Sequence, residues 1–113
     1  MHEVSIVYNI LEIAKEYAAN NAMSRIKKII INVGEFCALQ EDSLDFAFEA
    51  LSKGSLCEGS QLITEKTEAK AYCRNCAKEF NITFTNKLCP VCKTFSYQIT
   101  TGYELLVTKI EGE

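Results

Sequence analysis

The stretch that decides the fold is CRNCAKEFNITFTNKLCPVC, residues 73–92. Two residues separate Cys73 from Cys76, two separate Cys89 from Cys92, and twelve lie between the pairs. A Cys-x-x-Cys turn aims two sulfurs at one point, so two such turns can close a tetrahedral four-thiolate shell of the zinc-ribbon kind. The intervening KEFNITFTN, with alternating Phe80, Ile82 and Phe84, predicts a hairpin that brings the two turns together. A closed four-thiolate shell leaves no position for water, so the expected zinc is structural, not catalytic. Iron suits a four-sulfur shell too, and a rubredoxin-like centre stays open as the rival. Two disulfides would need an oxidising compartment.

A module of some twenty residues cannot bury a core of its own. Bound metal then supplies much of its folding free energy, on the order of 10 kcal/mol in comparable zinc peptides. The other two cysteines, Cys37 and Cys57, lack any such spacing and read as small buried hydrophobes.

On either side of this module the pattern is that of an α+β layer. YELLVTKIE, residues 103–111, follows Gly102 and predicts a strand. Before the module, QLITEKTEAK (61–70) predicts an edge strand, because little after Ile63 is apolar. IKKIIINV (26–33), with a period-2 face at Ile29, Ile31 and Val33, predicts a central strand closed by Gly34.

Residues 41–53, EDSLDFAFEALSK, predict a helix with Leu44, Ala47, Phe48 and Leu51 as its inner stripe and Gly54 as its stop. Residues 4–20 predict a longer helix with two apolar stripes. One holds Val4, Val7, Tyr8, Leu11, Ala14 and Ala18; the other holds Ile6, Ile10, Ile13 and Tyr17. Such a helix is either covered on two sides or offers one stripe to a partner.

The expected fold is therefore α+β: a small mixed three-stranded sheet with two helices, carrying an inserted zinc-ribbon-like module. The expected boundaries are an α/β domain over 1–70 and 94–113 and a ribbon over 71–93.

Composition narrows the function classes. The chain has 113 residues, 48% of them apolar, and a net charge of −3. No apolar run approaches the roughly 20 residues a membrane span needs, and no signal-peptide pattern opens the chain. The cytoplasm is the default location. Charge is uneven: residues 70–93 carry Lys70, Arg74, Lys78, Lys87 and Lys93 against Glu79 alone. A basic ribbon keeps a nucleic-acid or protein-interaction module in view as the alternative function, although the acidic whole argues against nucleic acid.

The chain opens MHEVS, and His2 is its only histidine. An α-amine, the next amide nitrogen and the His2 imidazole can form consecutive chelate rings, a nitrogen-rich planar set that suits Ni(II) or Cu(II). Glu3 can add its amide or its carboxylate. Methionine-removing enzymes prefer a small second residue, so Met1 should remain ahead of His2.

The MHEVS start, VGEF at 33–36, LDFAFEAL at 44–51, EGSQL at 58–62, the double Cys-x-x-Cys and GYELLVTKIE at 102–111 occur in one order along the chain. In this combination the sequence resembles the HypA-type nickel-insertion proteins of hydrogenase maturation. The resemblance implies a small metallochaperone, not an enzyme, with a mixed α/β nickel-binding domain and a zinc domain. It implies Ni(II) as transient cargo on Met1, His2 and Glu3, and structural zinc on Cys73, Cys76, Cys89 and Cys92. It implies delivery to a nickel–iron hydrogenase, and in some organisms to urease. The partners it implies are a nickel-insertion GTPase, the hydrogenase large-subunit precursor and urease maturation proteins.

The sequence departs from the family pattern at three places. Lys93 stands where a glycine often follows the second knuckle. Tyr103 replaces an arginine. No proline precedes Cys73.

Overall fold

The computed structural model describes residues 3–113. The described residues divide into two compact units, one of residues 3–32, 38–65 and 106–113, the other of residues 33–37 and 66–105. Among the described residues no helix is long and apolar enough to cross a membrane.

The first unit is built on helix α1 (Glu3–Asn20) and helix α2 (Glu41–Ser52), which pack against each other. In α1 the buried residues are Ile6, Val7, Ile10, Leu11, Ala14 and Ala18. They form one stripe that takes the inner members of both predicted stripes. The outer members, Val4, Tyr8, Ile13 and Tyr17, stay exposed on its two flanks. A straight helix can turn only about a third of its circumference to one neighbouring layer.

The α1 C-terminus closes by local hydrogen bonds. Met23 N–H donates to the Ala18 carbonyl at 2.9 Å, and Ala22 adopts the left-handed conformation that such a cap requires. In α2, Leu44, Ala47 and Phe48 are buried as expected, while Leu51 is half-buried. Glu41 and Asp42 occupy its first turn, where the helix dipole favours negative charge.

Strand β1 (Ile26–Gly34) is the centre of a three-stranded sheet, between β2 (Gln61–Thr67) and β6 (Leu105–Gly112). Ile26, Ile29, Ile31 and Val33 are its buried side chains. Arg25 and Glu113 exchange both backbone hydrogen bonds, so β6 runs antiparallel to β1. The Ser60 hydroxyl, just ahead of β2, donates to the Ile26 carbonyl at the start of β1. The two strands therefore set off from the same end, and α2 is the crossover between parallel neighbours. The expected mixed sheet with two helices is present, with the 26–33 stretch central and the 61–67 stretch at an edge.

A second three-stranded sheet lies in the other unit. Strand β3 (Lys70–Cys73) sits between β4 (Lys78–Asn81) and β5 (Ile99–Thr101), antiparallel to both. The predicted 61–70 strand thus ends early: β2 stops at Thr67 and Lys70 already belongs to this second sheet. Glu35 fixes the break, its carboxylate accepting the Ala69 N–H at 2.9 Å.

The predicted hairpin within residues 78–86 is also corrected. Each Cys-x-x-Cys instead sits at the tip of its own hairpin. The first is β3–β4, with Cys73 opposite Lys78. The second is closed by an antiparallel bridge between Leu88 and Phe95. The link between them turns at Thr83–Asn86, where Thr83 N–H donates to the Asn86 carbonyl and Asn86 N–H to the Thr83 hydroxyl. A knuckle needs two antiparallel strands to present its sulfurs side by side, and local pairing across each tip is the shortest way to make them.

Phe36, Ala69, Ala71, Cys73, Phe80, Ile82 and Cys89 form the buried cluster of this unit. The ribbon therefore gains a core partly from the short 3-10 turn Glu35–Cys37, whose Phe36 N–H donates to Gly102 carbonyl oxygen at 2.7 Å. Phe84 does not join this cluster. It is largely exposed, with its ring stacked on Phe36 at a centroid distance of 4.2 Å. Gly34 lets these segments close: a Cβ there would lie 2.2 Å from the Gly102 carbonyl group. Gly102 itself has φ +131, a conformation that L side chains rarely adopt.

Candidate metal centre

The two hairpin tips bring Cys73, Cys76, Cys89 and Cys92 together, with all four sulfurs within 4.8 Å of one another. The Cys73–Cys92 and Cys76–Cys89 sulfur separations are 3.5 and 3.8 Å. A tetrahedral ion with metal–sulfur bonds of about 2.3 Å needs sulfur–sulfur edges of about 3.8 Å. The donor set therefore fits a zinc-sized ion with little adjustment.

The electrostatics of the cluster point the same way. Hydrogen bonds from the Thr94 hydroxyl and amide pull the Cys92 thiol down to about 6. Backbone N–H groups of Cys92 and Val91 lower Cys89. Cys76 is pushed up to about 12, by desolvation first and then by the three sulfurs around it. The shell thus holds sulfurs ready to ionise beside one that cannot do so in their company. A divalent cation removes that conflict, since each thiolate then faces positive charge.

Both knuckles turn in the same way. Ala77 and Lys93, each directly after the second cysteine of its pair, have φ of 54° and 63°. Lys93 N–H donates to the Cys89 carbonyl at 2.9 Å. The backbone must enter the left-handed region here to fold its amides back over the sulfurs. Glycine does so without steric cost, and a side-chain-bearing residue does not. Thr94 is a supporting residue the sequence reading missed. Its only signal is its place two residues beyond Cys92.

Cys37 and Cys57 are buried away from the cluster, as expected of small hydrophobes. The Cys37 thiol donates to the Glu104 carbonyl at 3.2 Å.

Of the terminal residues expected to hold nickel, Met1 and His2 lie outside the described residues. Glu3 opens α1, and its carboxylate accepts the Gln40 N–H at 3.3 Å. It lines an open depression of about 680 Å³ with Val4, Ser5, Asp42, Ser43 and Phe46. The four cysteines are thus gathered at one point, and Glu3 stands at the edge of a cleft between α1 and α2.

Residues 1–112 match the family described as "Hydrogenase/urease nickel incorporation, metallochaperone, hypA". The hydrogenase maturation factor HypA of Azotobacter chroococcum is 35% identical over 113 residues, covering all of both chains. That of Aquifex aeolicus is 31% identical over 113 residues, covering all of this chain and 98% of its own. Among solved structures, the nickel metallochaperone HypA from Helicobacter pylori superposes with a TM-score of 0.72 at 25% identity, covering 99% of this chain and 97% of the other. A second solution structure of HypA reaches 0.76 at 24% identity, covering 100% and 97%, and speaks to the fold alone. A family match over nearly the whole chain, full-length relatives above 30% identity and the shared fold lead to one assignment: the chain belongs to the HypA family of nickel metallochaperones of hydrogenase maturation.

Proposed function

We propose that this chain binds Ni(II) through Met1, His2 and Glu3, carries structural zinc on Cys73, Cys76, Cys89 and Cys92, and hands its nickel over during maturation of a nickel–iron hydrogenase. The carrying observation is the family match over residues 1–112, which takes in the terminal triad and the four cysteines together. A carrier must release what it holds. Nitrogen donors at an end of the chain, with one carboxylate beside an open cleft, suit reversible binding better than a closed cage does. The role is that of a carrier and not of a catalyst. The zinc supplies folding free energy to its unit, and its closed shell has no position for a reacting ligand.

The partners that follow from this role are a nickel-insertion GTPase and the hydrogenase large-subunit precursor, with the urease maturation proteins where that enzyme is made. A cytoplasmic location suits a chain that uses reduced thiolates as ligands.

The test is Ni(II) titration calorimetry on zinc-loaded protein, native and with one glycine placed ahead of Met1. The native chain should bind one nickel and the extended chain should lose most of that affinity. Equal binding by the two overturns the terminal ligand set. Affinity should also fall as pH drops through roughly 8 to 6.5, because the α-amine and the imidazole must both shed protons to ligate. An affinity unchanged between pH 8 and pH 5 would overturn it as well.

A further inference from the structure

The metal cluster does not account for the face of the ribbon beside it. A depression of about 590 Å³ lies there, walled by Tyr72, Arg74, Thr94, Phe95, Tyr97 and Gln98. Tyr97 is 89% exposed and Phe95 45%, with ring centroids 4.5 Å apart. Leu88, paired across from Phe95, is 47% exposed and extends the apolar surface. The buried cluster of this unit draws on Phe36, Phe80 and Ile82 and leaves these side chains out.

The backbone that presents them is pinned from both sides. Ser96 donates its hydroxyl to the Tyr72 carbonyl at 2.6 Å and its N–H to the Lys87 carbonyl at 3.1 Å. Gln98 N–H donates to the Ser96 hydroxyl, and Tyr72 N–H to the Gln98 carbonyl. The two rings are thus held out to solvent on a backbone fixed beforehand. That arrangement lowers the ordering cost of binding.

Charge selects the kind of partner. Residues 70–93 carry five basic groups against one acidic group. Among the described residues, Arg74 and Lys93 make no ion pair. Arg74 stands at the pocket wall, its Nε directed at Gln98 Oε1 at 3.4 Å. Lys93 precedes Thr94 on the neighbouring knuckle. The rings of Phe95 and Tyr97 pack on each other at an inclination of 57° and do not form a flat platform for successive bases.

We propose that this ribbon face docks an acidic protein segment, which seats an apolar or aromatic side chain against Phe95 and Tyr97 and sets a carboxylate against Arg74. The inference does not depend on where nickel binds. An aromatic anchor in a shaped pocket, rimmed by arginine, is the usual composition of an interface hot spot.

The test uses full-length zinc-loaded protein and fluorescence anisotropy with three short synthetic peptides. One is rich in Asp and Glu around a central Phe, one has that Phe replaced by Ala, and one keeps the Phe among lysines. A single-stranded oligothymidylate is the fourth probe. The acidic Phe peptide should bind at least about tenfold tighter than the other three and weaken with added salt. Tyr97→Ala and Arg74→Glu should each remove about tenfold of that affinity at unchanged zinc content, while Arg74→Lys keeps most of it. No binding of the acidic peptide, indifference to Tyr97→Ala, or tighter binding of the oligonucleotide overturns the proposal. Self-association of the protein alone that is lost in Tyr97→Ala overturns it too, because the occupant is then a second copy.

Discussion

Lys93 shows how one residue carries a cost set by its neighbours. Its φ of 63° is imposed by the knuckle turn, in which its N–H reaches back to the Cys89 carbonyl. An L-residue in the left-handed region costs roughly 1–2 kcal/mol relative to its preferred conformations, and part of that advantage is lost again through the greater chain entropy of an unfolded glycine. Lys93→Gly should therefore stabilise the zinc-loaded protein by about 0.5–1 kcal/mol, read as a higher denaturant midpoint at unchanged slope. An unchanged or lowered midpoint would mean that the lysine side chain compensates for the strain.

At the scale of elements, helix α1 is the clearest case of a pattern with more than one solution. Its apolar arc is wide enough for two stripes, and the inner stripe runs between them. Ile10→Ala should cost about 2–5 kcal/mol, because Ile10 is fully packed. Ile13→Ala should cost less than about 1 kcal/mol, because nearly half of that side chain already meets water. Chemical denaturation of both variants checks the pair, and equal losses would place Ile13 against a partner. The knuckle hairpins make the complementary point. Each tip is short and locally paired, so its geometry follows from antiparallel register and two positive-φ residues.

For the whole molecule, the division into two units sets how metal and fold are coupled. The buried cluster of the second unit includes two of the metal-binding cysteines themselves, Cys73 and Cys89, so its core and its metal shell are one structure. Removing zinc with a strong chelator should abolish amide protection across 66–105, while the amides of α1 and α2 stay protected. Hydrogen exchange followed by mass spectrometry separates the two responses. Simultaneous loss of protection everywhere would show that the units fold as one cooperative block. Cys73→Ser should reproduce the chelator result with metal present, because it removes a ligand and a core side chain together.

The sequence by itself determined the chemistry of the ribbon, the central strand and the two helices. Each rests on a local rule: the two-residue spacing that pairs sulfurs, the β-branched run at 26–33, and the 3.6-residue period with its acidic first turn and glycine stop. The alternation of Phe80, Ile82 and Phe84 was read as a hairpin of its own, whereas the strand pairing lies across each cysteine knuckle. Only the tertiary structure decided that Phe36 serves the ribbon core, that Glu35 ends β2 by capping Ala69, and that Phe84 stacks outside. Those choices depend on residues 33–37 meeting residues more than thirty positions away, and no periodicity within a short window encodes such a meeting. The docking face beside the cysteines belongs to the same class. Tyr97 and Phe95 look like any strand aromatics in the sequence, and only the filling of the core by other side chains leaves them facing water.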